Sequence, residues 1–440
     1  MHSPTSISAK TRLIVLVYNL LFPFVFLVLL PAYLVRMFKR GQYREKFGQR
    51  FGFYSPEVRR KIEDHKWIWI HAVSVGEVLI ALKLAQKMRM LRTDLNIVLS
   101  TTTTTGFTLA CKSSADWLEV IYNPIDFPPF INGALNLIRP GRIILVEAEV
   151  WPNLVVSARK RGIPVALVNA RLSPRSESRF RKFRFFTAPI FQLLDLIGVQ
   201  EPEDIGRWKS LGPGEAHLQL TGSIKFDHSD SRPARVEEFR GLLGALGVTP
   251  DAPVLLAGST FPGEEKILAQ IVLELRPRFP DLFLIIVPRH IERTPEVVAE
   301  IESAGLACAL RTESAHPARG KIDCLVVNTT GELRDWYYAG TVIFIGKSLT
   351  ATGGQNPVEA VVAGKPVLFG PHMENFSAVV DKWLAKEAAI QVANPEALKV
   401  QIARLLTDPR LRETMSVNAC KAVAPHQGAT ARTAEMLLAS

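Results

Sequence analysis

The chain has 440 residues, 48% of them hydrophobic, and a formal net charge of +11, which is too long for one core and too apolar for a disordered polymer. Four scattered cysteines, Cys111, Cys308, Cys324 and Cys420, lack metal-ligand spacing and read as reduced thiols of a cytoplasmic protein rather than a disulfide framework. The basic excess asks for an anionic partner, but without interleaved stacking aromatics or a nucleic-acid fold signature no nucleic acid is expected, and a membrane surface or phosphorylated lipid fits better.

In chain order, the first element is the apolar run Leu13 to Val35, 23 residues and long enough to span a bilayer. No small-residue cleavage site follows it, so it reads as an uncleaved membrane anchor helix. Asn19, Pro23 and Pro31 keep open the alternative of a helix lying in the interface or docked on the globular body. Six basic residues follow (Arg36, Lys39, Arg40, Arg44, Lys46 and Arg50), whereas Lys10 and Arg12 alone precede the run. The positive-inside bias therefore sets the large carboxyl-terminal part on the cytoplasmic side. Residues 1–50 form the anchor and its basic juxtamembrane segment.

Apolar β-rich runs then alternate with helical patterns, as a doubly wound parallel α/β sheet requires. Strands are expected at Trp67–Val73, Asn96–Ser100, Val120–Asn123, Arg142–Glu147, Ile163–Asn169 and Leu193–Gln200. A polar stretch from Asp227 to Asp251, with Pro233 and Pro250, interrupts them. The alternation restarts at Val254–Ser259, Leu282–Val287, Cys324–Asn328, Val342–Gly346 and Pro366–Gly370. Two Rossmann-like domains, 51–228 and 229–440, with a cleft at their interface are the expected architecture.

Several junctions carry candidate chemistry. In His71 to Glu77 (HAVSVGE) a strand ends in a glycine turn and leaves Glu77 at the start of a helix, Val78 to Arg92. Glu77 is either a reactive carboxylate or a helix-start acid favoured by the macrodipole. Gly258-Ser259-Thr260 offers backbone donors to an anion, and Arg289, in Pro288-Arg289-His290, could grip a phosphate bidentately. In Gly353 to Ala360 (GGQNPVEA), Asn356 reads as an N-cap, Pro357 as the first helical residue and Gly364 as the stop. Glu359 then has two readings, a capping-box acid or an acceptor of ribose hydroxyls.

These motifs, with EAEVWPN from Glu147, NARLS from Asn169, TGSIKFD from Thr221, GEL from Gly331 and GPHMENF from Gly370, resemble in order and spacing those of the Kdo (3-deoxy-D-manno-octulosonic acid) transferases of lipopolysaccharide synthesis. The resemblance covers nearly the whole chain, anchor included. It implies an inverting glycosyltransferase of GT-B fold that moves Kdo from CMP-Kdo to the lipid A precursor at the cytoplasmic face of the inner membrane, without a catalytic metal or other cofactor. It also implies Glu77 as general base, and Lys225 and Glu147 as stabilising positions. CMP-binding positions would be Pro288 and Arg289, Gly331, Glu332 and Leu333, and Asn356, Pro357, Val358 and Glu359. Ser74, Gly76, Arg171, Ser259, Thr260 and His372 are further donor or acceptor candidates. The family commonly has histidine at Gln355, a glycine-like residue at Lys347 and threonine at Ala148, which touches donor affinity more than reaction type. Pro174 to Phe186 (PRSESRFRKFRFF) alternates basic and aromatic residues and reads as a solvated helix or a membrane-facing, phosphate-gripping surface. The competing functions are another nucleotide-sugar enzyme, such as a lipid A disaccharide synthase or sugar epimerase, and an anchored binding protein without catalysis.

Overall fold

The structure, a computed structural model, describes residues 7–40, 46–63, 65–172, 174–227, 235–313 and 321–439. Arg44 of the juxtamembrane segment, Ser173 of NARLS and Pro233 of the expected linker lie outside the described residues. Two compact units emerge, Met1–Ser229 with His426–Ser440, and Asp230–Pro425.

The first unit holds β1 (Trp67–His71), β2 (Asn96–Thr101), β3 (Leu118–Tyr122), β4 (Arg142–Val146), β5 (Val165–Ala170), β6 (Leu196–Val199) and β7 (Leu218–Leu220). They lie in the order 3-2-1-4-5-6-7, and every ladder is parallel. Helices cover both faces, so alternate residues of β1 enter opposite cores. Trp67 and Trp69 pack with Ile143 and Leu145, whereas Ile70 packs with Ile144 and Leu84. This is why the strand reads as a continuous apolar run rather than an alternation.

The second unit holds β8 (Val254–Thr260), β9 (Phe283–Pro288), β10 (Cys308–Leu310), β11 (Cys324–Val326), β12 (Val342–Ile345), β13 (Val367–Phe369) and β14 (Ile390–Gln391), ordered 10-11-9-8-12-13-14. Beyond the extra edge strand β10, this is the 3-2-1-4-5-6 winding of a Rossmann sheet. The eleven expected strands are all present with shifted ends. The short edge strands β7, β10 and β14 are additions, as are short helices between strands.

Two features differ from expectation. The second domain does not run to residue 440, because the terminal helix Ala429–Ala439 packs on the first unit. There Ala434, Met436 and Leu437 join the core of the helix Val75–Leu91. The buried Asp227 carboxylate accepts from Gly428 N and Thr430 N at 2.9 and 2.7 Å, and Arg142 donates to the Leu437 carbonyl. The apolar run, moreover, is one helix, Ala9–Arg40, of which the first part is docked on the first unit rather than free of it. Ile7, Thr11 and Ile14 are buried. Asn19 and Asn153 exchange hydrogen bonds of 3.1 and 2.7 Å, and the Tyr18 hydroxyl bonds to the Asp126 carboxylate.

Removing residues 426–440 should therefore destabilise the first unit, although they follow the second in sequence. Loss of the Met436 and Leu437 contacts, at about 1.5–3 kcal/mol each, should lower the melting temperature by roughly 10 °C. An unchanged calorimetric transition would show that the segment is dispensable.

Candidate functional site

In an open α/β sheet, ligands meet the carboxyl ends of the strands where the winding reverses. In the first unit that point lies between β1 and β4, and the chain places HAVSVGE after β1 and EAEVW after β4. Ser74 caps the helix Val75–Leu91: its hydroxyl accepts from Glu77 N at 3.3 Å, while the Glu77 carboxylate accepts from Val73 N at 2.9 Å and Ser74 N at 3.3 Å. Glu77 thus is a capping-box acid, and each oxygen still has an accepting position left. Ser74 is committed to the cap. A side chain at Gly76 would meet only the Ser74 hydroxyl, at 3.9 Å, so this glycine keeps the first turn uncovered.

Around Glu77 gathers a charged cluster. Glu147, first past β4, adopts φ 62°. Burial raises its carboxyl above the usual range, the Glu77 charge adds to this, and Lys225 and Arg171 oppose it. Glu149, which the sequence reading did not single out, is pushed up to about 7 by burial and by the charges of Glu77 and Glu147. Burial lowers the Lys225 ammonium, Glu147 counteracts it, and Arg171 lowers it further. Lys225 sits on a short turn, Ile224–Phe226, clamped from several sides. Asn169 Oδ1 accepts from Ile224 N at 2.9 Å, His426 Nδ1 accepts from Ser223 N at 3.2 Å, and Lys83 donates to the Ile224 and Asp227 carbonyls. Asn169 is itself at φ 52°, where β5 bulges against β6.

The second unit repeats the plan at β8 and β12. Ser259 (φ 56°) sits in a bulge of β8 and Lys347 (φ 56°) follows β12. Non-glycine residues in this region cost free energy and cluster at functional sites. Gly346 is required by contact, since a Cβ there would lie 2.4 Å from the Ser259 carbonyl oxygen. An anion does sit at this turn, one of the protein's own and on other donors than the expected Gly258-Ser259-Thr260: Glu264, fully buried, accepts from Phe261, Lys347, Ser348 and Leu349 N at 2.8–3.1 Å. Thr260 is also committed, its hydroxyl donating to Glu265 at 2.9 Å.

The expected nucleotide residues divide into free and committed. Arg289, just past β9, is exposed, and among the described residues only its backbone N–H is held, by the Thr260 carbonyl at 3.1 Å. Pro288 closes β9. Glu332 is tied up by Arg235 and Arg311, each at 3.2 Å, and by the Thr329 hydroxyl at 2.6 Å. Burial would raise its carboxyl, but Thr329 and Arg311 outweigh this and hold it low. It shapes the turn at Gly331 (φ 81°), from which the helix Leu333–Trp336 begins. The helix after β12 runs Val358–Val362, one residue later than expected, so Pro357 precedes it. Asn356 Oδ1 accepts from Val358 N at 3.2 Å, and Glu359 forms no capping box. Its half-buried carboxyl is raised by burial, Arg334 opposing and Asp335 reinforcing. His372 Nδ1 lies 3.3 Å from Glu374, whose other oxygen accepts from Gly353 N at 2.6 Å. Lys347 Nζ lies 5.2 Å from the Phe261 ring centre, beside the glycine loop.

Comparison with known proteins supplies the family and the fold class. Residues 45–228 match the family model described as 3-Deoxy-D-manno-octulosonic-acid transferase (kdotransferase). The chain is 33% identical over 378 residues to the 3-deoxy-D-manno-octulosonic acid transferase of Bordetella pertussis, covering 84% of this chain and 86% of that one. It belongs to the Kdo transferase family. The Haemophilus influenzae 3-deoxy-D-manno-octulosonic acid transferase is 29% identical, covering 91% of this chain and 92% of its own. Among solved structures, UDP-GlcNAc 2-epimerase from Neisseria meningitidis matches with a TM-score of 0.55 at 14% identity, over 85% of this chain and all of that one, a likeness of GT-B fold alone.

This Kdo transferase, a glycosyltransferase of lipopolysaccharide synthesis, thus gathers Glu77, Glu147, Arg171 and Lys225 electrostatically in one unit, and carries Arg289, Gly331–Leu333 and Asn356–Glu359 in the segments that follow β9, β11 and β12 of the other. Glu149, Asn169 and Glu264 went unselected, although EAEVW, NARLS and the GEE after AGST contained them. A surface hollow of about 520 Å³ beside Pro140 and Ile163 lies at the amino ends of β4 and β5, opposite the strand ends that carry Glu77 and Glu147.

Glu149 supplies a pH test. Its carboxyl is raised from an ordinary 4.5 to about 7, so between these values the folded state binds more protons than the unfolded one, and stability falls as pH rises through that window. Glu149→Gln removes the effect. Its gain in melting temperature over wild type should be near zero at pH 4.5, grow towards pH 7 and level off above; a gain independent of pH would contradict the shift.

Proposed function

We propose that this enzyme transfers Kdo from CMP-Kdo to the tetraacyl lipid A precursor, lipid IVA, with inversion and without a metal ion, at the cytoplasmic face of the inner membrane. The observation that carries the proposal is the charged cluster at the β1/β4 switch point, where a carboxylate with spare accepting positions and a cation occupy the matching motif positions.

In this reading Glu77 takes the proton of the acceptor hydroxyl as its oxygen bonds to the anomeric carbon. The bond from that carbon to the CMP phosphate oxygen breaks, and CMP departs with the electron pair. Lys225 stabilises the developing negative charge, and Glu147 keeps it protonated against the burial that lowers it. Arg289 grips the CMP phosphate. Glu359, outside any capping box, accepts from ribose hydroxyls. Glu332 serves through the turn it braces, the backbone of Gly331 and Leu333 facing the nucleotide.

The test is transfer by the purified protein, offered CMP-Kdo or UDP-sugars with lipid IVA and read by mass spectrometry. CMP-Kdo alone should give product, and EDTA should leave the rate unchanged; product from a UDP-sugar alone, or loss of activity on chelation, would overturn the reading. Glu77→Gln should lower the rate by roughly 10²-fold or more while CMP-Kdo still binds, because general-base catalysis is typically worth 10² to 10⁴. Turnover equal to wild type removes Glu77 from the chemistry, and unfolding confines it to its cap.

A further inference from the structure

The amino-terminal helix has two faces. Ile7, Thr11 and Ile14 are buried, Val15 packs against the first unit's core, Asn19 pairs with Asn153, and Phe22 stacks on Phe127 with ring centres 6.4 Å apart. These positions recur at three- and four-residue intervals and form one stripe laid along the unit. Leu13, Leu16, Leu20, Leu21, Phe24 and Val28 occupy the other face, each between 56% and 78% exposed. Beside them the helix Arg184–Phe191 carries exposed Phe185 and Phe186, and Lys10 Nζ sits 4.4 Å from the Phe185 ring centre. Exposed Arg12, Arg179, Arg181, Lys182 and Arg184 edge the patch, with Glu177, paired to Arg181 and Arg207, the acid among them.

An exposed apolar face edged by cations matches a bilayer leaflet with anionic headgroups. The docked stretch also limits how the helix can meet it. Residues held to the unit as far as Phe22 cannot sit in hydrocarbon on all sides. Past Phe22, residues 23–40 offer eighteen helical residues, about 27 Å at 1.5 Å each and still short of the roughly 30 Å of a hydrocarbon core. Three of them, Arg36, Lys39 and Arg40, are basic.

We infer that the amino-terminal helix lies along one leaflet of an anionic bilayer without crossing it, which leaves the amino terminus on the same side as the two units. The inference rests on the membrane reading above and adds the topology. Two measurements on the full chain test it. The first is flotation with vesicles containing phosphatidylglycerol. Wild type should float, whereas Leu20→Glu/Phe24→Glu, exposed positions whose replacement should leave the melting temperature unchanged, should partition roughly 100-fold more weakly. The second is proteolysis of a cleavable tag placed ahead of Met1, which should be protected in spheroplasts and cut in inverted inner-membrane vesicles. A tag cut in spheroplasts overturns the topology and leaves membrane binding standing. A folded double variant that floats like wild type overturns the contact face, and a wild type that does not float overturns the membrane reading itself.

Discussion

A carboxylate ringed by backbone N–H groups sits at the switch point of each sheet, and the local geometry follows from it. Parallel strands end there in turns whose amides have no ladder partner, and burying them unpaired costs about 1–3 kcal/mol each. In the second unit Glu264 takes four such amides and joins the turn after β8 to the segment after β12. In the first unit Glu77 takes two, both from its own turn. The difference has chemical weight: a carboxylate with four backbone donors is saturated and structural, whereas one with two retains accepting positions for a substrate proton.

Positive φ at Glu147, Asn169, Ser259 and Lys347 is the second consequence of this plan. All four lie at the carboxyl ends of strands β4, β5, β8 or β12, and at Asn169 and Ser259 the ladder itself slips by a bulge. A strand that ended straight would carry its last side chain into the flanking helices. The left-handed residue re-aims the chain, which is how Glu147 joins Glu77 and how Asn169 comes to accept from the turn bearing Lys225.

Much of this was legible in the sequence because parallel strands buried on both faces write themselves as apolar runs ended by motif residues: WIWIH before HAVSVGE, RIILV before EAEVW. What was hidden has common physical causes. The strands β7, β10 and β14 have two or three residues, too short for a period. The terminal helix Ala429–Ala439 has an ordinary amphipathic pattern, and no local pattern states which unit its apolar face meets. That Glu77 forms a capping box and Glu359 does not has a related reason. Both follow a capping residue by three positions, but the box needs the helix to start at the right residue, and Pro357 delays the second helix by one.

Asn153 shows how one short motif can serve two ends. The segment from Glu147 to Asn153 begins at the charged cluster and ends at the amino-terminal helix, where Asn153 exchanges hydrogen bonds with Asn19. The backbone N–H groups of Asn153 and Leu154 are held by Asp126, whose carboxyl burial pushes up to about 6 against the pull of these amides and the Tyr18 hydroxyl. A part-buried amide pair is costly to leave half made, so the helix and the segment that presents Glu147 and Glu149 are fixed to each other within a few bonds. Under the proposed lipid acceptor the reactive groups must stand at a set height above the membrane, and a helix docked by specific polar bonds would set that height more firmly than a flexible tether.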